Sequence, residues 1–201
     1  MSGLDRSSRQ RGQGLVEFAL VVPVFLLLLL GMLEYGIAFT HDQTLAYATR
    51  EGARVGSSFG DGNTAYPCGT TNFDAPIIAA VERVLTSTGS PIDLPRVNAI
   101  NVYLAQANGS PTSGKVNVWT PTPGAGPTVD GKQLDFTQTT TGWAPCSRNN
   151  GVNADGLGVS LTYDYQFKTA LGGIFKFLFG SSVSSLAMSD KTVMNLNPTA
   201  P

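Results

Sequence analysis

Few side chains in this sequence are placed to do chemistry. One carboxylate, Glu17, stands five positions after Gly12, at the head of an apolar run. Two cysteines, Cys68 and Cys146, lie well beyond that run. They are too few and too far apart for a zinc site. A single histidine, His41, follows the end of the run. A lone His supplies neither a Ser-His-Asp triad nor a multi-His metal site. The glycine-rich GVNADGLG at 151–158 neither follows an expected strand nor opens an expected helix, so it fails as a phosphate loop. Read as a calcium loop, it starts on Gly151 and puts Thr162 where the closing Glu belongs, which excludes an EF-hand. Asn108-Gly109-Ser110 matches a glycosylation sequon, a weak pattern. No catalytic residue, metal-ligand set or cofactor is expected, and the chain is not read as an enzyme.

Glu17 is positioned by the stretch 12–39, GQGLVEFALVVPVFLLLLLGMLEYGIAF. From Phe18 to Leu33 there are sixteen uncharged residues, seven of them Leu. At helical rise this spans about 24 Å, and counting from Leu15 to Phe39 carries it past the ~30 Å of a bilayer core. One membrane-spanning helix is the direct reading, with Pro23 permitting a gentle kink. Two readings compete. A buried core helix seldom runs this apolar all round. A cleaved signal peptide would use Arg6, Arg9 and Arg11 as its basic region, but the run exceeds the roughly 7–15 residues of such a segment, and no small-x-small site follows it directly. Glu17 itself can be read as an interfacial residue at a helix start, where the helix dipole favours a carboxylate.

A peptidase cutting after Gly12 would make Gln13 residue one, with a free α-ammonium, and Glu17 residue five. This G-x-x-x-x-E-F arrangement resembles the processing motif of type IV pilins, especially the short form of the tight-adherence (Tad) branch. The wider stretch resembles the TadE-like pilus assembly family. Val16-Glu17-Phe18-Ala19-Leu20 matches its opening, Glu34-Tyr35-Gly36 its acidic-aromatic-Gly step, and Ala48-Thr49-Arg50-Glu51-Gly52-Ala53-Arg54 its AAREGAR-like segment. The likeness covers residues 11–56 and returns weakly near the C-terminus. A cut after the second glycine, Gly14, would leave Glu17 at position three, off the pilin spacing, so Gly12 is preferred.

The resemblance implies a minor pilin or pseudopilin for Tad pilus assembly and adhesion. Gly12 and Gln13 would be the processing site, and Glu17 and Phe18 the assembly residues. It implies a prepilin peptidase, other pilin subunits and the Tad secretion machinery as partners, beside the cytoplasmic membrane. The basic leader 1–12 is expected to stay cytoplasmic by the positive-inside rule, which puts 59–201 outside, at the pilus or cell surface after processing. The alternative is a permanently anchored single-pass module whose 120–156 loops contact a surface or glycan.

The rest of the chain reads as α+β, with a helix packed on an antiparallel sheet. Beyond Phe39 the helix continues, with Ala38, Leu45, Ala48, Ala53 and Val55 as its apolar stripe, to about Val55, where Gly56, Ser57, Ser58 and Gly60 stop it, so that the long N-terminal helix is set at 13–58. Its small residues, from Gly31 to Gly52, would permit close helix contacts. Asp74 reads as an N-cap ahead of Pro76, with Ile77, Ile78, Val81, Val84 and Leu85 on one face. Strands are expected over 97–105, around Val116, Val118 and Trp119, over 157–167, and within 185–196. The stretch 120–156, with TPTPGAGPT and SRNNGVNADGLG, is expected as long surface loops, a length seen when loops bind something or are disordered. Leu171, Ile174, Phe175, Leu178 and Phe179 form an apolar patch, read as core covering in preference to a docking surface.

A net charge of −1 with 13% charged residues leaves no basic footprint for nucleic acid. On an oxidising side of the membrane, an even cysteine count favours a Cys68–Cys146 disulfide over two unrelated buried thiols. The bridge would close a loop of almost eighty residues, worth roughly 4–5 kcal/mol in the chain-entropy model. Non-reducing peptide mapping is expected to recover one Cys68–Cys146 linked peptide; two alkylatable thiols would count against it.

Overall fold

The computed structural model of the chain describes residues 6–58, 73–151, 153–179 and 185–197. Helix α1 (Arg6–Ser58) contains Pro23 without breaking, and α2 spans Ala75–Leu85. The strands are β1 (Val97–Ala105), β2 (Pro111–Pro121), β3 (Thr128–Val129), β4 (Lys132–Gln133), β5 (Phe136–Thr141), β6 (Gly156–Gln166) and β7 (Ser185–Asn195), with α3 (Leu171–Phe179) between the last two. The main sheet runs β5-β2-β1-β6-β7, and β3 and β4 pair separately. The β1–β2, β1–β6 and β2–β5 pairs are antiparallel, so the class is α+β.

The described residues fall into two compact units. Those within Met1–Phe39 and Gln166–Leu186 form one, and those within Thr40–Tyr165 and Ala187–Pro201 the other. The second unit holds most of the core. On α1, His41, Leu45, Ala48, Gly52 and Gly56 are buried at three- and four-residue spacing, one face of a helix. A Cβ at Gly52 would stand 2.5 Å from Val81 Cγ2 of α2, and one at Gly56 2.7 Å from Leu157 Cδ2 of β6. Gly56, one of the four expected stop residues, therefore does not itself end the helix, which runs to Ser58, the end of the expected span. It lies inside the helix, and its missing side chain admits β6.

The α2 face matches expectation at Ile77, Ile78, Val81 and Leu85, all buried. Val84 is only half-buried, and Glu82 is buried instead. Asp74 stands at the N-cap position but makes no side-chain cap bond. Its carboxylate turns inward. Oδ1 accepts from Arg148 Nη2 at 2.7 Å, and Oδ2 from Asn117 Nδ2 at 2.6 Å. The Arg148 guanidinium lies over the Phe73 and Trp143 rings, 4.8 and 4.4 Å from their centroids. Asn117 Oδ1 accepts the Gly142 and Trp143 amides at 2.9 and 2.8 Å. An opposite charge and stacked rings thus replace the water both ions lost.

Expected strands appear at β1, β2, β6 and β7. On β6, Val159, Leu161, Tyr163 and Tyr165 are all buried. On β1, Tyr103 is buried as well as Ile100 and Val102, because its ring covers Gly158, where a Cβ would come within 2.3 Å. The stretch 120–156 corrects the reading of it as long loops. Strand β5 pairs with β2 from Asn117↔Thr141 to Pro121↔Phe136, and Leu134, Phe136 and Trp143 are buried. The β3–β4 hairpin turns on Asp130 and Gly131, at φ +50° and +78°, a conformation that an Asp-Gly pair supplies. Buried Glu82 accepts from Lys132 Nζ at 2.9 Å and the Asp135 amide at 2.8 Å, fastening this stretch to α2.

Asp74→Ala would strand the Arg148 guanidinium in the core. A loss of about 3–5 kcal/mol is expected, typical of breaking a buried pair, read as a lowered thermal midpoint of the full chain in detergent. Asp74→Ala melting with the parent chain would show that Arg148 needs no counter-charge.

Candidate functional site

The candidate site is the N-terminal part of α1 and what packs on it within its own compact unit. Between residues 15 and 39 almost every large apolar side chain is exposed. Leu15 is 71% and Phe18 69% open, and Phe39 at the far end of the expected span is exposed too. The helix is long and apolar enough to cross a membrane, and none of its most apolar stretch is buried. It fits a single-pass membrane protein.

Gly12 and Gln13 lie within α1, which begins at Arg6, so helix reaches into the stretch expected as a leader. Gln13 Nε2 donates to Glu17 Oε1 at 3.0 Å, a one-turn contact on an exposed face. The two predicted processing and assembly positions, 13 and 17, are therefore neighbours within one uncut chain. Phe18 projects beside them, exposed. A carboxylate among open apolar side chains has one chemical consequence. If a second helix or lipid covers this face, the charge loses its water and needs a cation or hydrogen-bond donors.

Glu34 has already met that need. It is 5% exposed, and its two oxygens accept backbone amides, Lys168 to Oε1 at 2.9 Å and Thr169 to Oε2 at 2.8 Å. Thr169 Oγ1 in turn accepts the Leu171 amide at 3.3 Å, and the Thr169 carbonyl accepts the Gly172 amide, so the turn leading into α3 is built around this carboxylate. In the sequence Glu34 stands only as part of a motif near the end of the span. The signal was the one used for Glu17, an acid inside an apolar run, but its partners lie 134 and 135 positions away.

Other expected residues have structural positions. His41 is buried, with its ring 4.9 Å from that of Tyr165 and 5.9 Å from that of Tyr163. In the segment 48–54, Ala48, Gly52 and Ala53 are buried. Glu51 and Arg54 form a bidentate surface pair, Nη2 to Oε1 at 2.6 Å and Nε to Oε2 at 2.9 Å. Those hydrogen bonds hold the Glu51 carboxyl below its ordinary pKa. Thr49 Oγ1 bonds the Asp190 carboxylate and meets the Thr192 hydroxyl at 3.0 Å, tying α1 to β7. Cys146 lies in a short 3₁₀ turn, Pro145–Ser147. Cys68 lies outside the described residues. The apolar patch lies on a helix, Leu171–Phe179, with Leu171 buried and Ile174 and Phe175 half-buried, while Phe177, a residue outside the patch as read, is 88% exposed.

Removing the Glu34 carboxylate leaves two part-buried amides without this acceptor, at up to about 1–3 kcal/mol. In Glu34→Ala, hydrogen exchange at the Lys168 and Thr169 amides should quicken at least about tenfold, with Glu34→Gln intermediate because its amide keeps one acceptor oxygen. Unchanged exchange at both amides would show that the turn holds itself.

Comparison with known proteins is confined to this helix. No curated protein and no solved structure matches the chain. A family model described as TadE-like protein matches residues 12–54, from Gly12 through Arg54. That span takes in the Gln13–Glu17 pair, the unburied apolar stretch, Glu34 and the Gly52 contact, so over it the N-terminal helix is similar to the TadE-like family.

Proposed function

We propose that this chain is a pilin-like structural component of a Tad-type pilus, a minor pilin or pseudopilin acting in assembly and adhesion. A prepilin peptidase cuts it after Gly12, and other pilin subunits and the Tad machinery receive it. The observation that carries the reading is Glu17, a carboxylate exposed at the head of an unburied apolar helix inside the TadE-like match. Before cutting, the Gln13 side chain hydrogen-bonds this carboxylate. Cutting gives Gln13 an α-ammonium, protonated for the most part at neutral pH. That cation on one subunit pairs with Glu17 on the next, once the helices leave the headgroup region and pack together. Only one axial offset brings residue one of one subunit to residue five of another, so the pair also sets register.

Arg6, Arg9 and Arg11 support a cytoplasmic N-terminus, with the Cys68–Cys146 pair on the outer, oxidising side. Under this reading the helix anchors the chain in the cytoplasmic membrane until processing.

The test compares the N-terminal residue and the crosslinking of wild type, Gly12→Leu and Glu17→Ala. Mature wild type should begin at Gln13, and Gly12→Leu should stay full-length in the membrane. Glu17→Ala should insert but fail to crosslink to other pilins, since an unpaired buried ammonium costs about 3–5 kcal/mol. An intact Met1 on assembled wild type would favour a permanently anchored surface module. Glu17→Ala crosslinking like wild type would reduce Glu17 to an interfacial helix-start residue.

A further inference from the structure

Nearly all the exposed large hydrophobics among the described residues belong to one compact unit. Those of residues 15–39 are joined there by Phe177 and Leu186, and the other unit contributes Tyr47 and Val193. Phe177 is more open than any side chain of the apolar helix itself. It stands on α3, LGGIFKFLF, whose single charge is Lys176. The helix does not hang loose. Gly172 lies against Phe167, where a Cβ would meet the Phe167 Cβ at 2.8 Å. The Phe167 and Phe175 rings sit 5.7 Å apart. The turn before α3 is fastened to α1 through the two amide bonds to Glu34, five residues before Phe39. Lys168 and Lys176 are exposed beside this aromatic cluster.

From this we infer that α3 is a second membrane-seated element, an interfacial helix that buries Phe177 at the headgroup–acyl boundary of the bilayer its own chain spans. The inference rests on the reading of 15–39 as a span. The occupant of the Phe177 face follows from continuity. Glu34 joins the turn that leads into α3 to the C-terminal end of an apolar stretch whose own surface is open, so a bilayer around that stretch also meets α3. The composition suits that depth, since aromatic side chains and lysines on a short amphipathic helix are the usual interfacial anchors. Glu34 becomes intelligible too. A carboxylate this far into an apolar run is tolerated at the interface because two amides of the interfacial turn take its charge. The N-terminal helix then has a fixed depth and rotation, because a lone span can slide and turn whereas a span clamped to an interfacial helix cannot.

The experiment uses the full chain in phosphatidylcholine vesicles carrying a minority of phosphatidylglycerol. Trp119 and Trp143 are buried, so their emission in the parent chain is the baseline. Phe177→Trp adds an indole on α3, and Leu28→Trp adds one in mid-span. The emission added by Phe177→Trp should be blue-shifted, quenched by lipids brominated near the headgroup, and spared by aqueous acrylamide. That added by Leu28→Trp should be quenched by lipids brominated deep in the acyl chain. If Leu28→Trp responds and the α3 indole is quenched by acrylamide alone, α3 is in water and the proposal fails while the span stands. An α3 indole shielded from both quenchers is covered by another protein surface, which also overturns it. If Leu28→Trp ignores deep lipid quenchers, the spanning reading fails, and the proposal with it. Combining Glu34→Ala with Phe177→Trp should shift the indole toward acrylamide, and no shift would remove Glu34 from the anchor.

Discussion

A carboxylate held out of water needs donors, and Glu34 obtains them from the peptide backbone. Its oxygens take the Lys168 and Thr169 amides, which would otherwise have no partner in the turn before α3. Both sides gain from the arrangement. An ionised acceptor strengthens each amide bond, and two donors offset much of the desolvation of the charge. The consequence is architectural. A segment more than a hundred residues downstream is fixed to the apolar helix, and it forms a compact unit with that helix.

One helix therefore does two jobs that physical chemistry ordinarily keeps apart. Over 15–39 its large side chains are open, as suits lipid or neighbouring helices. Over 40–58 it contributes a narrow buried stripe of His41, Leu45, Ala48, Gly52 and Gly56 to a mixed core. The glycines of that stripe are close-contact residues. Any side chain at Gly52 would strike Val81, and at Gly56 Leu157, so α1 could not pack as near α2 and β6. The TadE-like match reaches Arg54 and so covers both jobs, since it includes the apolar stretch and the Gly52 contact.

Buried polar groups give the sheet unit its specificity. Asp74, Asn117 and Arg148 join the start of α2, the middle of β2 and the stretch after β5. Glu82 joins α2 to β4 and to the segment between β4 and β5. Apolar packing alone tolerates small slips, whereas a buried ion pair whose hydrogen bonds run to named atoms does not. These contacts hold a Pro-, Gly- and Thr-rich stretch in place without a continuous apolar run of its own.

Local pattern was enough to read the apolar helix, α2, β1, β6 and β7, because each has its own period or its own uninterrupted hydrophobic length. The α+β class followed from their order. The TadE-like resemblance was carried by residues contiguous on α1, where sequence neighbours are also spatial neighbours. Two local signals also lie in the Pro- and Gly-rich middle stretch. Asp130-Gly131 marks a tight hairpin turn, and FTQTTT is rich in β-branched residues although it looks polar. Other features had no local signature. Asp74 looks like a cap until Arg148, 74 positions on, is brought beside it. Gly56 looks like a stop until Leu157 of β6 is laid against it. Glu34 looks like one acid among apolar residues until the amides of 168 and 169 reach it. Periodicity records which face of an element is apolar. It does not record which distant atom satisfies a buried charge or fills the space beside a glycine. Those partners are chosen by chain topology, which only the folded structure supplies.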